Sequence, residues 1–392
     1  MKKIAAIFLV VALMCASCIS VFANNEVNYE AETHDTVNAE FDIRAKSAVL
    51  MEKNTGKILY AKNENEALSP ASVTKIMTLL LVAEALADGA FKPEDEVTVS
   101  DYAASMGGSQ VFLEAGERMS VEELIKCTVI SSANDAAVAL AELVSGNESA
   151  FVNKMNKRAG ELGMKSANFE NVTGLDDTVT NHVLSAMDIA IMSRELIKHD
   201  IITKYSSLWQ DTIRDGAFTL TNTNRLVRYY DGCTGLKTGS TAKAGFCMSA
   251  TAERDGMGLI AVIMGAETRD IRNAEARALL DFGFSSFALY KSEPKCLGEI
   301  KILGGNVKSV KVYSEGFALL VSKADFGKIK EKINIPESIS APVSKGKPLG
   351  TLELYVGEEK LGECGIFCEN DLGKITFFEV YFAILKNLFG SK

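Results

Sequence analysis

Alternating apolar and polar positions predict two β-hairpins that are far apart in the chain. The first joins the runs 47–52 and 57–61 through the turn sequence Asn54-Thr55-Gly56. The second joins the runs 245–252 and 258–264 through Arg254-Asp255-Gly256, a typical hairpin turn. Strands are therefore expected on both sides of the long stretch between them.

The stretch between the hairpins has its apolar positions at the spacing of helix faces. One helix is expected to begin at Ser69 and Pro70, with Ser69 as its N-cap, because proline suits the first helical turn. Ser120 and Glu123 have the spacing of a capping box and predict the start of another. Further helices are expected over 135–144, 151–162 and 185–198, and a closing helix is expected after the second hairpin, over 274–282. This order indicates an α/β (α+β) fold, in which helices flank an antiparallel sheet and a helical lobe is inserted.

The part of the chain after residue 290 is expected to form a small all-β domain. Short strand-like runs at 308–313, 318–321 and 349–356 alternate there with Gly, Pro and Ser. The expected divisions of the ordered chain are 41–290, 291–370 and 371–392.

The last segment predicts an amphipathic helix over 372–389. Its apolar face consists of Ile375, Phe378, Phe382, Leu385 and Phe389. Polar residues interrupt the segment too often for it to span a bilayer, so we expect it to lie at a membrane surface. The alternative is a helix that packs on its own β domain.

The first 23 residues have the pattern of a secretory signal peptide. Lys2 and Lys3 precede an apolar run at 4–14, and Val21-Phe22-Ala23 offers a cleavage site. An uncleaved membrane helix and a lipid-modified Cys18 are the alternatives. Residues 24–40 are polar and acidic, which predicts a disordered lead-in. An exported protein is therefore expected.

Composition narrows the class of function. Hydrophobic residues make up 47% of the chain and charged residues 24%, which is the balance of a soluble globular protein. The net charge of −9 argues against a nucleic-acid partner, because phosphate binding needs clustered Lys and Arg. Only three histidines are present, and no second Cys pair accompanies Cys364 and Cys368, so no metal is expected.

Ser72-Val73-Thr74-Lys75 is an S-x-x-K sequence in the first turn of a predicted apolar helix. The spacing puts Lys75 on the face of Ser72 one turn later. A serine hydroxyl attacks well only when a base takes its proton, and burial beside a second cation can lower a lysine pKa enough for that task. Ser292 and Ser344 begin the same pattern, but Pro and Gly surround them and no helix aligns the pair.

Two more short motifs follow in order. Ser132-Ala133-Asn134 lies in the turn between two predicted helices, unlike the similar sequences that begin at Ser145 and Ser166. Lys237-Thr238-Gly239 occurs once, just before the run 245–252, where an edge strand can hold an extended peptide. Each motif alone is weak evidence, whereas the three in this order and in these elements are highly specific.

With these motifs the chain resembles the low-molecular-mass penicillin-binding proteins, the serine-type D-alanyl-D-alanine carboxypeptidases. The resemblance extends over nearly the whole chain and includes the stretches 108–110, 171–175 and 244–246. It implies a β-lactamase/transpeptidase-like domain, a β-rich domain and a membrane-associated helix, with no cofactor. The implied substrate is the peptidoglycan pentapeptide, the implied inhibitors are β-lactam antibiotics, and the implied location is the outer face of the cytoplasmic membrane.

The resemblance also implies a role for each motif residue. Ser72 attacks the carbonyl between two terminal D-alanines and forms an acyl-enzyme, Lys75 is the base, and Ser132 relays a proton to the leaving amine. The backbone N–H groups of Ser72 and Ser240 form the oxyanion hole. Thr223 stands where some relatives carry an additional arginine for the substrate carboxylate. The residues implied to bind the substrate are Asn134, Lys237, Thr238, Gly239, Ser240 and Arg272.

Other functions would require other residues. A β-lactamase needs an extra base to hydrolyse its acyl-enzyme quickly, and Glu170 is the candidate in this chain. A zinc carboxypeptidase needs a His and Asp cluster that three scattered histidines do not supply. A transpeptidase would use the same residues with an amine in place of water. A catalytically silent wall-binding module should lack a motif residue.

Overall fold

The computed structural model describes residues 42–177 and 179–389. The predicted signal peptide and the predicted lead-in lie outside the described residues. The described strands are β1 (Ser47–Glu52), β2 (Ile58–Lys62), β3 (Glu96–Thr98), β4 (Arg118–Ser120), β5 (Gln210–Ile213), β6 (Phe218–Thr221), β7 (Cys233–Thr241), β8 (Gly245–Arg254), β9 (Met257–Ala266), β10 (Phe287–Ser292), β11 (Lys295–Leu303), β12 (Ser309–Ser314), β13 (Phe317–Ser322), β14 (Ile329–Asn334), β15 (Ser338–Ser340), β16 (Gly350–Val356) and β17 (Glu359–Cys368). The described α-helices are α1 (Lys75–Ala87), α2 (Asp101–Ala104), α3 (Val121–Ile130), α4 (Asn134–Ser145), α5 (Glu148–Glu161), α6 (Ala186–Leu196), α7 (Asp200–Ser206), α8 (Leu226–Tyr229), α9 (Arg269–Ser286), α10 (Lys323–Phe326) and α11 (Phe377–Phe389).

An antiparallel sheet in the order β2-β1-β9-β8-β7 organises the larger part of the chain. Because side chains alternate along a strand, β1 sends Val49 and Met51 into one apolar core and Ala48 and Leu50 into another. Helices α1 and α6 pack in the first core, and α9 packs in the second. The predicted fold class, a sheet flanked by helices, is confirmed. Strand β7 is an edge strand of this sheet.

Both predicted hairpins are present. Strands β1 and β2 pair antiparallel, with Ala48 opposite Lys62. Strands β8 and β9 are joined at Asp255 and Gly256, whose φ angles are +52° and +75°. Positive φ at both central residues is what a two-residue type I′ turn requires, and glycine tolerates it well.

The first helix does not begin as the sequence predicts. A 3₁₀ turn over Ala71–Thr74 follows Pro70, and α1 starts only at Lys75, with no side-chain cap on either segment. The φ angle of Ala71 is +49°, a left-handed value that interrupts any helix starting at Pro70. The prediction that Ser69 is the N-cap is therefore wrong.

The inserted lobe is helical, as expected. Ser120 Oγ accepts the Glu123 N–H at 3.2 Å while Glu123 Oε2 accepts the Ser120 N–H at 3.3 Å, so the predicted capping box starts α3. Helices α4, α5 and α6 correspond to the predicted helices, with shifted ends. Helix α9 extends beyond the predicted 274–282 at both ends.

The β-rich part contains a second sheet in the order β14-β16-β17-β12-β11-β15 and the hairpin β10-β13. The three predicted strand runs correspond to β12, β13 and β16. The sequence does not predict β17, because Gly362 and Gly365 weaken its strand pattern. Pairing with β16 on one side and β12 on the other nevertheless holds β17 in the sheet.

The C-terminal helix starts later than predicted. Leu372 is buried and exchanges two backbone hydrogen bonds with Val343, at 3.0 Å and 2.8 Å, so it belongs to the β-rich part. Helix α11 begins at Phe377, just after Thr376, whose hydroxyl accepts the Glu379 N–H at 3.3 Å. Within the described residues, no helix is long and apolar enough to cross a membrane.

The apolar side chains of α11 are not covered by the rest of the described chain. Phe377 is 77% exposed, Phe378 69%, Phe382 62% and Phe389 84%. The alternative prediction, a helix packed on its own β domain, is therefore wrong.

Candidate active site

The 3₁₀ turn before α1 brings the two ends of the S-x-x-K sequence together. Lys75 is the first residue of α1, and its Nζ lies 3.1 Å from Ser72 Oγ. The same Nζ donates to the backbone oxygen of Thr173 at 2.8 Å. Lys75 is fully buried, whereas Ser72 is half-buried. The Ser72 hydroxyl, which solvent can reach, thus contacts the Lys75 amine, which solvent cannot reach.

The surroundings of Lys75 disfavour its charged form. Burial, followed by the positive charge of Lys237, holds the pKa of Lys75 well below its ordinary value, and the Asp135 carboxylate opposes this only in part. A lysine must lose its proton before it can act as a base. The site therefore favours the neutral amine that a serine nucleophile needs.

The turn between α3 and α4 supplies the S-x-N residues. Lys237 Nζ lies 2.7 Å from Ser132 Oγ, and both side chains are buried. Asn134 starts α4, and its Nδ2 donates to the Gly107 backbone oxygen at 2.6 Å. Asn134 Oδ1 is buried and has no donor among the described residues. A buried acceptor without a donor is costly, so this oxygen is suited to receive an N–H from a bound molecule.

The K-T-G sequence lies inside β7 rather than just before a strand. Gly239 passes so close to the 3₁₀ turn that a Cβ there would lie 2.8 Å from the Ser72 nitrogen. Glycine is required at this point because any side chain would push β7 away from Ser72. Thr238 Oγ1 donates to Thr223 Oγ1 at 2.7 Å, and Ser240 is exposed beside them on the edge strand.

Arg272 lies in the first turn of α9 and makes no direct contact with the motif side chains. Its guanidinium is buried, 3.4 Å from the backbone oxygen of Cys247, which is the cross-strand partner of Gly239. Its Nη2 donates to Asn273 Oδ1 at 2.9 Å. Arg272 acts on the site through its charge: burial, and then Arg272, lower the pKa of Lys237 to about 7.

The loop after α5 supplies contacts that the sequence analysis did not assign. Asn171 Oδ1 accepts the N–H groups of Thr173 and Gly174, at 3.2 Å and 2.7 Å, and this turn points the Thr173 carbonyl at Lys75. A Cβ at Gly174 would lie 1.8 Å from the Ala71 oxygen. Asn-x-Thr-Gly is a turn-forming sequence, but no local signal tells which helix the turn contacts.

The remaining candidates lie elsewhere. Ser292 is in β10, and the neighbouring Lys295 pairs with Glu331 instead of a serine. Glu170, the candidate extra base, is exposed and accepts the Asn181 N–H at 2.9 Å. Among the described residues, no cluster of three His, Cys, Asp or Glu side chains has the arrangement of a metal site.

Two family models match the chain one after the other. The first, described as D-alanyl-D-alanine carboxypeptidase, matches residues 32–268. The second, described as penicillin-binding protein 5, C-terminal domain, matches residues 284–374.

Individual relatives are similar over most of the chain. D-alanyl-D-alanine carboxypeptidase DacF of Bacillus subtilis is 44% identical over 386 residues, 96% of either chain. The crystal structure of penicillin binding protein 5 from Haemophilus influenzae is 32% identical, with a TM-score of 0.75 over 86% of this chain and 99% of that one. Penicillin-binding protein D2 from Listeria monocytogenes, in its ampicillin-bound form, is 30% identical, with a TM-score of 0.55 over 63% of this chain and 99% of that one.

Proposed function

The chain belongs to the D-alanyl-D-alanine carboxypeptidase family, and from this membership we propose a role for each residue of the site. It is a serine-type D-Ala-D-Ala carboxypeptidase with a C-terminal domain of the penicillin-binding protein 5 type. The observation that carries the proposed roles is the 3.1 Å contact between the fully buried Lys75 amine and the Ser72 hydroxyl.

In the proposed acylation step, Ser72 Oγ attacks the carbonyl carbon between two terminal D-alanines. Lys75 Nζ takes the hydroxyl proton, which its neutral form can accept. Ser132 relays a proton to the leaving amine: it gives up its hydroxyl proton and takes over the one that Lys75 has accepted, while the Lys237 ammonium, 2.7 Å away, stabilises the hydroxyl oxygen. D-alanine departs, and water later hydrolyses the ester on Ser72, which returns the free serine.

The proposed binding contacts follow the substrate along β7. The backbone N–H groups of Ser72 and Ser240 stabilise the oxyanion, and Gly239 permits the close approach of β7 that such a pair requires. Asn134 Oδ1 accepts an amide N–H of the peptide. Lys237 supplies positive charge for the terminal carboxylate, and Thr238 donates its hydroxyl to that carboxylate in place of Thr223 Oγ1. Arg272 adds positive charge from α9.

We also propose a specific substrate and a specific cellular location, which family membership alone does not determine. The peptide is the peptidoglycan pentapeptide, and a β-lactam occupies the same site, since a related penicillin-binding protein has been seen with ampicillin. The proposed divisions are a signal peptide at 1–23, a catalytic domain at 41–290, a β-rich domain that begins at 291 and includes Leu372, and a membrane-binding helix that begins at Phe377. The exposed Phe side chains of α11 support peripheral attachment to the outer face of the membrane.

The test compares the full-length chain in mild detergent with its Ser72→Ala variant. We expect stable labelling by a fluorescent penicillin and release of D-alanine from diacetyl-Lys-D-Ala-D-Ala, and loss of both in the variant. Persistent labelling of folded Ser72→Ala would refute Ser72 as the nucleophile. Rapid penicillin turnover without peptide cleavage would indicate a β-lactamase.

A further inference from the structure

A buried histidine outside the three motifs contacts the turn that carries the proposed nucleophile. His182 is 3% exposed, and its Nε2 lies 2.8 Å from Thr74 Oγ1, inside the S-x-x-K sequence. On the other side of the ring, Nδ1 accepts the backbone N–H of Glu170 at 3.0 Å. Since Nδ1 is an acceptor, the proton of the neutral ring lies on Nε2, which donates to Thr74.

The Thr74 hydroxyl connects His182 to the backbone of the 3₁₀ turn. Thr74 Oγ1 donates to the Ala71 backbone oxygen at 2.8 Å. That oxygen belongs to the same planar peptide group as the Ser72 N–H, so the direction of one determines the direction of the other. Holding the Ala71 carbonyl therefore also aims the Ser72 N–H.

The peptide group at Ala71 needs such support. Ala71 has φ of +49°, a region that costs an L-residue free energy and persists only where the surroundings enforce it. Gly174 lies against the same carbonyl and fixes it from outside the turn. Gly174 limits the movement of the Ala71 carbonyl by steric contact, and the hydrogen bond from Thr74 attracts the same carbonyl.

We propose that His182 is a positioning residue: through Thr74 and the Ala71 carbonyl it aims the Ser72 N–H at the developing oxyanion. This inference rests on the proposed role of Ser72. His182 itself touches neither the substrate nor the reacting atoms.

The ring stays in the tautomer that this role requires. Burial lowers the pKa of His182 to about 4, and Lys243 also lowers it, whereas Glu170 and Asp176 raise it. Phe169 packs edge-to-face against the ring, with centroids 5.8 Å apart, and adds to the burial. His182 is therefore neutral at the pH at which a wall enzyme works, and Nε2 keeps its proton.

The first experiment measures acylation by a β-lactam and peptide hydrolysis in three single variants of the full-length chain. His182→Leu removes the donor, Thr74→Val removes the middle link with little change of shape, and His182→Gln restores an N–H donor. For His182→Leu and Thr74→Val we expect acylation and kcat to fall about 10- to 100-fold, less than the loss of a whole oxyanion-hole donor, with KM within about twofold. His182→Gln should recover a large part of the rate.

A double variant separates this role from general stabilisation of the fold. Since His182 and Thr74 act in one chain of hydrogen bonds, His182→Leu combined with Thr74→Val should lose no more activity than either alone. If His182→Leu does not fold, Thr74→Val and His182→Gln still decide the question. Wild-type acylation in Thr74→Val, or additive losses in the double variant, would overturn the proposal. Ser72→Ala keeps the two hypotheses distinct, because its loss of labelling tests the nucleophile whatever His182 does.

Discussion

The amino group of Lys237 lies 2.7 Å from the Ser132 hydroxyl, and neither side chain is exposed to more than 4%. A second buried amine, Lys75, contacts Ser72, and the charge of Lys237 is one cause of its lowered pKa. The roles proposed for the two lysines therefore require opposite protonation states. Lys75 must be neutral to take a proton, and Lys237 must be charged to attract a carboxylate.

The first prediction concerns the alkaline limb of the pH profile. The pKa of Lys237 is lowered to about 7, and its proposed role needs the protonated form, so kcat/KM should fall as the pH rises through that value. Lys237→Arg keeps the charge to a higher pH and should move the limb upward, whatever its absolute rate. The measurement is peptide hydrolysis between about pH 5 and 10. If the alkaline limb of the kcat/KM profile lies at the same pH in Lys237→Arg as in the wild type, a group other than Lys237 causes it.

The second prediction concerns the carboxylate contact at Thr223. Thr223 is exposed, and its hydroxyl lies 2.7 Å from Thr238 Oγ1, so an arginine at 223 would reach the same region from solvent. Thr223→Arg should lower KM for the peptide about two- to fivefold with little change in kcat, which corresponds to the free energy of an exposed ion pair. Thr223→Gln, of similar length and uncharged, is the matched control. An equal fall of KM in both variants would exclude charge as the cause.

Local sequence patterns are sufficient to predict those contacts of the site that join residues close together in the chain. The S-x-x-K spacing put Ser72 and Lys75 together, and the capping box at Ser120 located the helix that leads into Ser132. The sequence pattern does not reveal β7, the edge strand that contains Lys237, because its small polar residues do not alternate clearly with apolar ones.

Contacts between distant segments could not be predicted in the same way. From a loop about a hundred residues further along, Thr173 accepts a hydrogen bond from Lys75 and His182 contacts Thr74, and a turn sequence does not reveal its tertiary neighbours. The left-handed Ala71 has no sequence signal at all, since alanine normally favours the helix that was predicted there. The left-handed conformation of Ala71 is tolerated because Gly239 and Gly174, which have no side chains, leave room for the 3₁₀ turn between them.

The third prediction tests that packing with two glycines of the same conformation. Gly174 and Gly146 have φ of +80° and +78°, so alanine carries the same backbone strain at either position. A Cβ at Gly174 would lie 1.8 Å from the Ala71 oxygen, whereas a Cβ at Gly146 would have no heavy atom within 4 Å. Gly174→Ala should lower acylation by a β-lactam at least about 100-fold, as expected when a nucleophile is misplaced by an ångström.

Gly146→Ala is the control and should acylate like the wild type, with a loss of stability of about 1 kcal/mol. Thermal unfolding and acylation are measured on both variants. Equal losses of acylation in the two variants would show that left-handed backbone strain causes the loss, and not a clash with the 3₁₀ turn over Ala71–Thr74.

The fourth prediction concerns the surface of α11. Phe378 and Phe382 are 69% and 62% exposed, and burying each in a bilayer interface would remove apolar area from water. Replacing both with serine should weaken binding to phosphatidylglycerol/phosphatidylethanolamine vesicles at least about tenfold in co-sedimentation, since about 1.4 kcal/mol corresponds to that factor. Hydrolysis of a soluble peptide should be unchanged.

The matched control replaces Leu303 and Val307, which are 55% and 41% exposed in the β-rich part, with serine. These two residues are also exposed and apolar but lie outside α11, so vesicle binding should persist. Because the chain carries a net charge of −9, we expect no general attraction to anionic lipid, and binding of the wild type should survive an increase in salt. Loss of binding at high salt, or in the control as strongly as in the α11 variant, would exclude an apolar membrane contact through this helix.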